Sequence, residues 1–394
     1  MCPIRRVAPA LLLLLAACGI QQSSPLTEQQ IFVNGEDGYE CFRIPAIVRS
    51  TDGSLLAFAE GRVNGCNDFG DVDIVLKSSI DDGESWSDIR VVANNDTMQV
   101  GNPGPVVDSL DPRYPDGRVF LFFNSGIASE HETRLGKGLR EVHFVTSIDD
   151  GRSWSDPTNI TESVHRPKRP DLNPAYNFAE DWRSYAITPG HALQLTHASN
   201  YGRILVPANH SAGDPRDRFD EYRSHAFFSD DHGSTWHLSE SVDVPSSNEA
   251  IAAELEDGTV MQNIREQSGR QRKRLVAISS DGGATWDSTY FDANLPGPVC
   301  QASILSIGPF EGSPALLFSN PASTDTREMM TIRVSRDNGL TWPFARVIRT
   351  GPSAYSDLVE QANGRIGLLY EHGNEGGIHY ARVNLDWLLS DKEN

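Results

Sequence analysis

Short apolar runs separated by turn residues recur along the chain, and they predict β-strands rather than helices. In six places two apolar runs flank a turn with glycine, and four of these turns hold the Asp-Gly or Asn-Gly pair that favours a hairpin. The turn glycines are Gly53, Gly117, Gly202, Gly258, Gly312 and Gly364. Helical periodicity is almost absent, apart from a terminal turn over Leu385–Ser390. The pattern predicts an all-β protein.

A second repeat, Ser-x-Asp-x-Gly-x-Ser/Thr-Trp, follows each of the first five hairpins. Its copies are Ser79–Trp86, Ser147–Trp154, Ser229–Trp236, Ser279–Trp286 and Ser335–Trp342. Each copy follows a strand-like run, so we predict a turn in which the Asp accepts backbone N–H groups and the Gly supplies an unusual φ. The Trp is expected to pack into the sheet, which makes the repeat structural.

The two repeats interleave into one unit of hairpin, loop, strand, Trp turn and strand. Such a unit is a four-stranded antiparallel sheet, and six of them account for residues from about 30 to 390. Radial repetition of such sheets protects their edges in a β-propeller. We therefore predict one domain over 31–394, a six-bladed β-propeller of four-stranded antiparallel blades. An array of β-sandwiches is the alternative, although the repeats lack linkers.

This topology puts the hairpin glycines and the Trp turns on one face and the chemistry on the other. The start of the first strand lies about nine residues before each hairpin glycine, and the end of the second strand about seven after it. These offsets and the loops beyond them bring together Arg43, Arg62, Asp68, Glu249, Arg265, Arg327, Tyr355 and Glu371. We expect these side chains to share one rim.

The overall charge sharpens the meaning of these arginines. The chain has 34 Lys and Arg against 54 Asp and Glu, a formal charge of −20, which argues against a nucleic-acid partner. Several guanidinium groups around one cavity repel each other unless they bind an anion, and their geometry suits a carboxylate or phosphate. A cationic socket in an acidic protein therefore predicts a small anionic ligand.

The rim residues and the Trp turns resemble those of exo-α-sialidases (neuraminidases) of the bacterial and animal type. Phe42–Pro45 matches the Phe/Tyr-Arg-Ile-Pro motif, and the Trp turns match the Asp boxes. Further matches are Glu60–Arg62, Asn248–Arg265 and Ser353–Asp357. The resemblance covers essentially the whole mature chain.

The resemblance implies a role for each arginine at the rim. Arg43, Arg265 and Arg327 would bind the carboxylate of a sialic acid, with Glu371 orienting Arg43. Arg333, six residues after Arg327, is the alternative third arginine. The expected partners are sialylated glycoconjugates.

The resemblance also implies the reacting groups. Asp68 would be the acid/base, with Arg62 beside it and Asp71 as a weaker competitor, and Tyr355 with Glu249 would be the nucleophile pair. Sialic acid carries a carboxylate on its anomeric carbon, so a neutral phenol meets less repulsion than a carboxylate nucleophile. The phenol needs a base, and the reaction retains configuration. We expect no cofactor and no metal in this reaction.

Two other functions use the same rim. A sialoglycan-binding, lectin-like propeller needs the arginines alone, whereas a trans-sialidase or intramolecular trans-sialidase needs all the reacting groups. Trp182 and Tyr185 are candidate aromatics of an acceptor site, with packing within a loop as the alternative. We expect the protein to be a monomer.

The N-terminus carries a targeting signal. Two arginines precede the apolar run Ala8–Ala17, which is too short to span a bilayer and is typical of a signal peptide, here residues 1–17. Leu15–Gly19 resembles a bacterial lipobox, which implies lipidation of Cys18; a plain signal peptide is the alternative. Residues 18–30 are expected to be a tether. The prediction is an exported lipoprotein that touches a membrane only through its lipid, or a secreted protein if the lipobox is not used.

Three cysteines lie within the domain. Cys41 and Cys66 each stand two residues before a rim residue, so a disulfide between them, bracing the loop of Asp68, is a hypothesis consistent with export. Cys300 is then a lone, buried thiol.

Overall fold

The computed structural model describes residues 24–197, 199–310, 312–373 and 376–390. The predicted signal peptide over 1–17 and the lipidation site at Cys18 lie outside the described residues. Within them, no helix has both the length and the apolar character needed to cross a bilayer.

The described chain is built almost wholly from strands. The first nine are β1 (Leu26–Phe32), β2 (Cys41–Arg49), β3 (Leu55–Arg62), β4 (Val72–Ser79), β5 (Arg90–Ala93), β6 (Gln99–Asp108), β7 (Arg118–Gly126), β8 (Arg140–Ser147) and β9 (Thr158–Asn159). The next nine are β10 (Trp182–Ile187), β11 (Leu193–Gln194), β12 (Ile204–Ala212), β13 (Tyr222–Ser229), β14 (His237–Leu238), β15 (Ser247–Glu254), β16 (Val260–Glu266), β17 (Lys273–Ser279) and β18 (Ser288–Pro296). The last seven are β19 (Ser303–Phe310), β20 (Ser313–Pro321), β21 (Glu328–Ser335), β22 (Phe344–Pro352), β23 (Ser356–Glu360), β24 (Ile366–Glu371) and β25 (Ile378–Val383). The short helices are α1 (Glu130–Arg134), α2 (Thr161–Val164) and α3 (Leu385–Leu389), with single 3₁₀ turns at Pro174–Tyr176 and Asp217–Phe219.

The strands form five sheets of mainly antiparallel neighbours. Three sheets have the orders β15-β16-β17-β18, β19-β20-β21-β22 and β1-β25-β24-β23; a fourth has β10-β12-β13-β14, with β11 also pairing β12. The fifth has eight strands, whose halves β2–β5 and β6–β9 meet at one parallel pair, Val72 with Gln99. The four-stranded antiparallel unit predicted from the repeats is confirmed.

Contacts between successive units close a circuit. β2 contacts β6, β6 contacts β10, β12 contacts β15, β15 contacts β19, β19 contacts β23, and β23 returns to β2. Sheets arranged around such a circuit make a β-propeller. Apolar side chains fill the spaces between neighbouring sheets, as where Phe122 of β7 meets Phe227 of β13 with ring centroids 5.6 Å apart.

The prediction that residues 18–30 form a tether is wrong for the segment from Leu26 onward. Leu26–Phe32 forms β1, which pairs antiparallel with β25 from the Leu26–Val383 pair to the Phe32–Ile378 pair. Of its seven side chains only Ile31 and Phe32 are buried, so backbone hydrogen bonds along a sheet edge hold most of the strand. Leu26–Phe32 therefore belongs to the sheet although its sequence lacks the apolar pattern that predicts a strand.

The Trp turns have the structural role that the sequence predicts. In the first copy, Ser79 Oγ donates to Asp81 and accepts from Gly83 N (2.8 Å), while Asp81 accepts from Ser85 N (2.9 Å). Gly83 has φ +79°, and a Cβ there would overlap the ring of Tyr380. The turn thus locks one sheet to its neighbour.

Candidate active site

A polar cavity of about 590 Å³, within the usual range for ligand sites, opens where the first strands of several units begin and the second strands end. Seven of the eight side chains predicted for the rim line it: Arg43, Arg62, Asp68, Glu249, Arg265, Arg327 and Tyr355. The eighth, Glu371, lies fully buried directly behind Arg43. The residues predicted to share one rim therefore do lie together in the structure.

A bulge in β2 presents Arg43. The β2–β3 register shifts between Arg43 and Ala46, and Ile44 adopts φ 60°, a left-handed conformation that is costly for a β-branched residue. Pro45 cannot donate to the ladder, so the Arg-Ile-Pro sequence favours this irregularity. The bulge turns both the Arg43 guanidinium and the N–H of Ile44 towards Glu371.

Glu371 organises this part of the site. Its Oε1 accepts from Arg43 Nε (2.7 Å) and Ile44 N (2.8 Å). Its Oε2 accepts from Arg43 Nη2 (3.3 Å) and Tyr355 N (3.0 Å). One buried carboxylate therefore fixes an arginine and the backbone of the tyrosine beside it, and it raises the pKa of Arg43 despite burial, which alone would lower it.

The other two arginines flank the same tyrosine. Arg265 Nη1 lies 2.5 Å from Glu249 Oε2 and donates to Tyr355 Oη at 3.0 Å. The guanidinium carbon of Arg327 lies 5.7 Å from the centroid of the Tyr355 ring, as does that of Arg43. Arg333, the alternative to Arg327, instead donates to Asn320 and does not line the cavity.

Tyr355 and Glu249 form a direct hydrogen bond. Tyr355 Oη donates to Glu249 Oε1 at 2.5 Å. Burial and then the Glu249 charge raise the pKa of Tyr355 well above its usual range, against the opposing effect of Arg265 and Arg327. The phenol is therefore protonated at rest, and the proton acceptor that a nucleophile requires is already in contact with it.

Asp68 also lines the cavity, from the loop between β3 and β4. Arg62 Nη1 donates to Asp68 Oδ1 at 2.9 Å, and the Asp68 side chain is 84% exposed. Desolvation acts to raise the pKa of Asp68, but Arg62 and Arg43 outweigh it and lower that pKa. Asp71 does not line the cavity.

A disulfide holds the loop of Asp68. Cys41 at the start of β2 is joined to Cys66, with Cα atoms 5.2 Å apart. The carbonyl of Cys66 also accepts from Arg62 Nη1 at 2.6 Å. The covalent bond and this hydrogen bond together fix the loop two residues before the carboxylate.

The sequence reasoning did not assign Glu60 and Arg274. Glu60 Oε2 accepts from Arg62 Nε (3.0 Å) and Nη2 (2.7 Å), so it orients Arg62 as Glu371 orients Arg43. The signal was available, because residues two apart on a strand share a face. Arg274 lies buried behind the site and donates to Asn263 Oδ1 (2.6 Å) and the Cys300 carbonyl (2.6 Å).

Arg274 is unusual because it is a buried cation. Within the described part of the chain, no carboxylate lies within ion-pair distance of it. Burial lowers its pKa to about 9. No periodicity marks such a residue, since β17 reads as an ordinary strand.

Trp182 and Tyr185 do not line the cavity, and their packing alternative is the one observed. Trp182 stacks on His210 with ring centroids 3.5 Å apart, and Tyr185 is fully buried. With His165 and His225 they form what we call the histidine cluster. On β10 it is instead Ser184 and Ala186 that face the cavity.

Comparisons with known proteins agree with this geometry. A family model described as a BNR repeat-like domain matches residues 53–368. A sialidase of Micromonospora viridifaciens is 35% identical over 381 residues; the match covers 92% of this chain but only 54% of that protein. An exo-alpha-sialidase of Arthroderma benhamiae is 30% identical over 393 residues, with 91% of this chain and 86% of that protein covered.

Solved structures of the same kind share the fold. A Hadza microbial sialidase superposes with a TM-score of 0.77 at 26% identity, covering 92% of this chain and 69% of its own. The intramolecular trans-sialidase of Ruminococcus gnavus gives a TM-score of 0.74 at 18% identity, covering 92% and 98%, which supports the propeller fold alone. Taken with the cavity and its residues, these similarities mean that the chain belongs to the exo-α-sialidase family of glycoside hydrolases.

Proposed function

We propose that the protein hydrolyses terminal α-linked sialic acids from glycoconjugates. The observation that carries this proposal is the hydrogen bond from buried Tyr355 to Glu249, surrounded by Arg43, Arg265 and Arg327 and faced by Asp68. The three arginines thus offer positive charge for the carboxylate of a substrate, and the Tyr355–Glu249 pair offers a nucleophile with its base.

The first step joins the sugar to the enzyme. The three arginines bind the substrate carboxylate and so hold the anomeric carbon over Tyr355 Oη. Tyr355 Oη forms a bond to that carbon as its proton passes to Glu249. The glycosidic C–O bond breaks, and Asp68 donates a proton to the departing oxygen.

The second step releases the sugar. The unprotonated Asp68 accepts a proton from water, whose oxygen attacks the anomeric carbon from the side that the aglycone left. The bond to Tyr355 Oη breaks, and Glu249 returns the proton to the phenol. Two inversions give net retention, so the first product is the α-anomer.

Asp68 must be protonated in the first step, yet its pKa is lowered in the free site. The substrate resolves this conflict, since its carboxylate compensates the charge of Arg43 and the sugar excludes water from Asp68. Both effects raise the pKa of Asp68 on binding. Substrate therefore prepares the acid that cleaves it.

The test is hydrolysis of an α-sialoside by the purified protein, followed by NMR. Wild type is expected to release the α-anomer first, Tyr355→Phe and Asp68→Ala to lose activity, and the exposed Tyr201→Phe control to keep it. Binding without hydrolysis by wild type would mean a lectin. Release of a 2,7-anhydro sugar, or transfer to an added acceptor, would mean a trans-sialidase.

We also infer that the propeller has six blades. Four sheets supply one blade each, and the eight-stranded sheet supplies two, because only the Val72–Gln99 pair joins its halves. The circuit of contacts between units supports this count, since it passes through six successive units. An experimental structure with six radial sheets is the check.

Export as a lipoprotein anchored through Cys18 is part of the same proposal. The Cys41–Cys66 disulfide supports export, because such bonds persist in oxidising compartments. A Cys18→Ser variant is expected to move the activity from the membrane fraction to the soluble fraction. Mass spectrometry of wild type should find lipid on Cys18.

A further inference from the structure

Three side chains of metal-ligating types meet where β1 joins the last sheet. None of them lines the cavity, although His372 directly follows Glu371 in the chain. They are Glu28 of β1, His372 directly after β24 and His379 of β25, whose ligand atoms all lie within 4.8 Å of one another. Glu28 Oε1 lies 2.6 Å from His372 Nε2 and 3.1 Å from His379 Nδ1. We call this group the seam cluster.

The strands hold the seam cluster in place. Pairing of β1 with β25 sets Gln30 opposite His379, and Glu28 shares a strand face with Gln30. The rings of His372 and His379 stack with centroids 3.2 Å apart and planes 9° apart. Each imidazole has a nitrogen close to Glu28 Oε1, but parallel stacked rings cannot both hold one ion in their planes, so one ring must turn when an ion binds. The exposed side-chain fractions are 11% for His372, 15% for His379 and 27% for Glu28.

A fourth polar atom completes the surroundings. Tyr370 Oη lies 2.9 Å from Glu28 Oε1 and 3.1 Å from His372 Nε2. Two imidazole nitrogens and one carboxylate oxygen are a donor set that suits Zn²⁺ and related ions, whereas Ca²⁺ prefers oxygen ligands alone. Tetrahedral ligands at roughly 2.0–2.1 Å from zinc lie about 3.4 Å apart. The two imidazole nitrogens lie closer than that to Glu28 Oε1, at 2.6 and 3.1 Å, so a bound ion would replace these hydrogen bonds and move the ligand atoms slightly apart.

We propose that the seam cluster binds one divalent transition-metal ion, with Zn²⁺ as the natural occupant. Three ligands come from Glu28, His372 and His379, and the fourth is the Tyr370 hydroxyl or a water molecule. The ion would tie β1 to the β24–β25 hairpin and so fasten the outermost strand of the last sheet. Its role is structural, because none of its ligands lines the catalytic cavity.

A second cluster of similar composition shows what distinguishes this one. Asp108, Asp111 and His232 also come together, but Arg118 pairs with both aspartates and Arg113 pairs with Asp111. Guanidinium groups there already supply the positive charge that a metal would bring. In the seam cluster, by contrast, Glu28 pairs with the two histidines.

The experiment is metal binding by the full-length protein after treatment with EDTA and removal of the chelator. Wild type is expected to take up one Zn²⁺ per chain, to melt at a higher temperature with Zn²⁺, and to give the visible absorption of tetrahedral Co²⁺ when Co²⁺ is added instead. His379→Asn and Glu28→Gln are expected to weaken Zn²⁺ binding by more than about 100-fold, since even loss of a partner of a ligand costs 10–100-fold. The controls His237→Asn, at an exposed position, and His232→Asn, in the second cluster, are expected to bind like wild type.

Several results would overturn the proposal. In the first, wild type takes up no Zn²⁺. In the second, His379→Asn and Glu28→Gln both bind Zn²⁺ as tightly as wild type. In the third, only His232→Asn loses Zn²⁺ binding. Far-UV circular dichroism of each metal-free variant separates loss of a ligand from misfolding. If His379→Asn does not fold, Glu28→Gln and the Co²⁺ spectrum of wild type still decide the question.

Discussion

Replacing Glu371 with glutamine tests whether one carboxylate organises both the arginine socket and the nucleophile. The substitution keeps the shape of the side chain but removes its charge and turns one acceptor oxygen into an NH₂ donor. If that group takes the place of Oε2, it faces Arg43 Nη2 and Tyr355 N, which both donate. Two hydrogen bonds become donor-to-donor contacts, and the Arg43 guanidinium loses its buried counter-charge.

The magnitude follows from burial. Glu371 is 0% exposed and Arg43 6%, so the variant leaves a nearly buried cation uncompensated. Removing one partner of such a pair costs about 3–5 kcal/mol. For a domain of this size that loss lowers the melting temperature by about 4–7 °C. Misplacement of Arg43 and Tyr355 should lower kcat/KM by about 10²–10³-fold.

The assay is hydrolysis of a fluorogenic α-sialoside together with thermal unfolding. Glu360→Gln is the matched control, because Glu360 lies exposed at the end of β23 in the same sheet. It should change the free energy of unfolding by less than about 0.5 kcal/mol. If Glu371→Gln kept the wild-type melting temperature and a kcat/KM within twofold, the organising role of Glu371 would be refuted.

Four further predictions follow from the site and its surroundings. Burial lowers the pKa of His225 to about 3 and also lowers that of the other two histidines of the histidine cluster, so they stay neutral when folded. Their contribution to the free energy of unfolding is fully present above pH about 6.5, and below that pH it decreases by up to about 1.4 kcal/mol per pH unit for each histidine. If the urea midpoint changed with pH between 7 and 5 equally in His225→Gln and in wild type, this account would be contradicted. Because Asp68 gains its proton on substrate binding, the basic limb of kcat should lie at higher pH than that of kcat/KM, and coincident limbs would count against Asp68 as the acid. Reducing Cys41–Cys66, which closes a separation of 25 residues, should cost about 3–4 kcal/mol in urea unfolding and lower kcat; unchanged kcat would mean that the loop holds its shape alone. Arg274→Lys should cost about 1–3 kcal/mol, since one ammonium cannot bond both partners of the guanidinium, and equal stability would contradict that account.

Most of the fold and of the site could be predicted from the sequence because both follow its repeats. Counting from Gly53 and Gly258 reached Arg43, Arg62 and Arg265, because a blade repeats the same distances from turn to rim. Trp turns and apolar runs are local signals, so they predict the four-stranded unit well. Strand β1 could not be predicted in this way, because a mostly polar edge strand depends on backbone pairing with β25 rather than on its own side chains.

Residues that act on other residues were harder to find. Glu60 lies two residues before Arg62 on β3, a spacing that places both side chains on one face, but the sequence does not say that the carboxylate orients the arginine. Arg274 meets Asn263 on the neighbouring strand, and no spacing encodes that contact. Tyr185 is a case that the sequence left open between an acceptor site and packing, and packing is observed. It faces the opposite side of its strand from Ser184 and Ala186 and packs against histidines. Strand parity, read from Ser184 and Ala186, separates the two faces once the register is known.

The pairing of β1 with β25 has a consequence for how the protein is made. The two strands lie at opposite ends of the described chain, so synthesis produces one long before the other, and joining them closes a very long loop. Contacts of this kind form late and slowly. Until they form, the open edge of β25 can pair with strands of another chain, so a newly made molecule can aggregate through this edge.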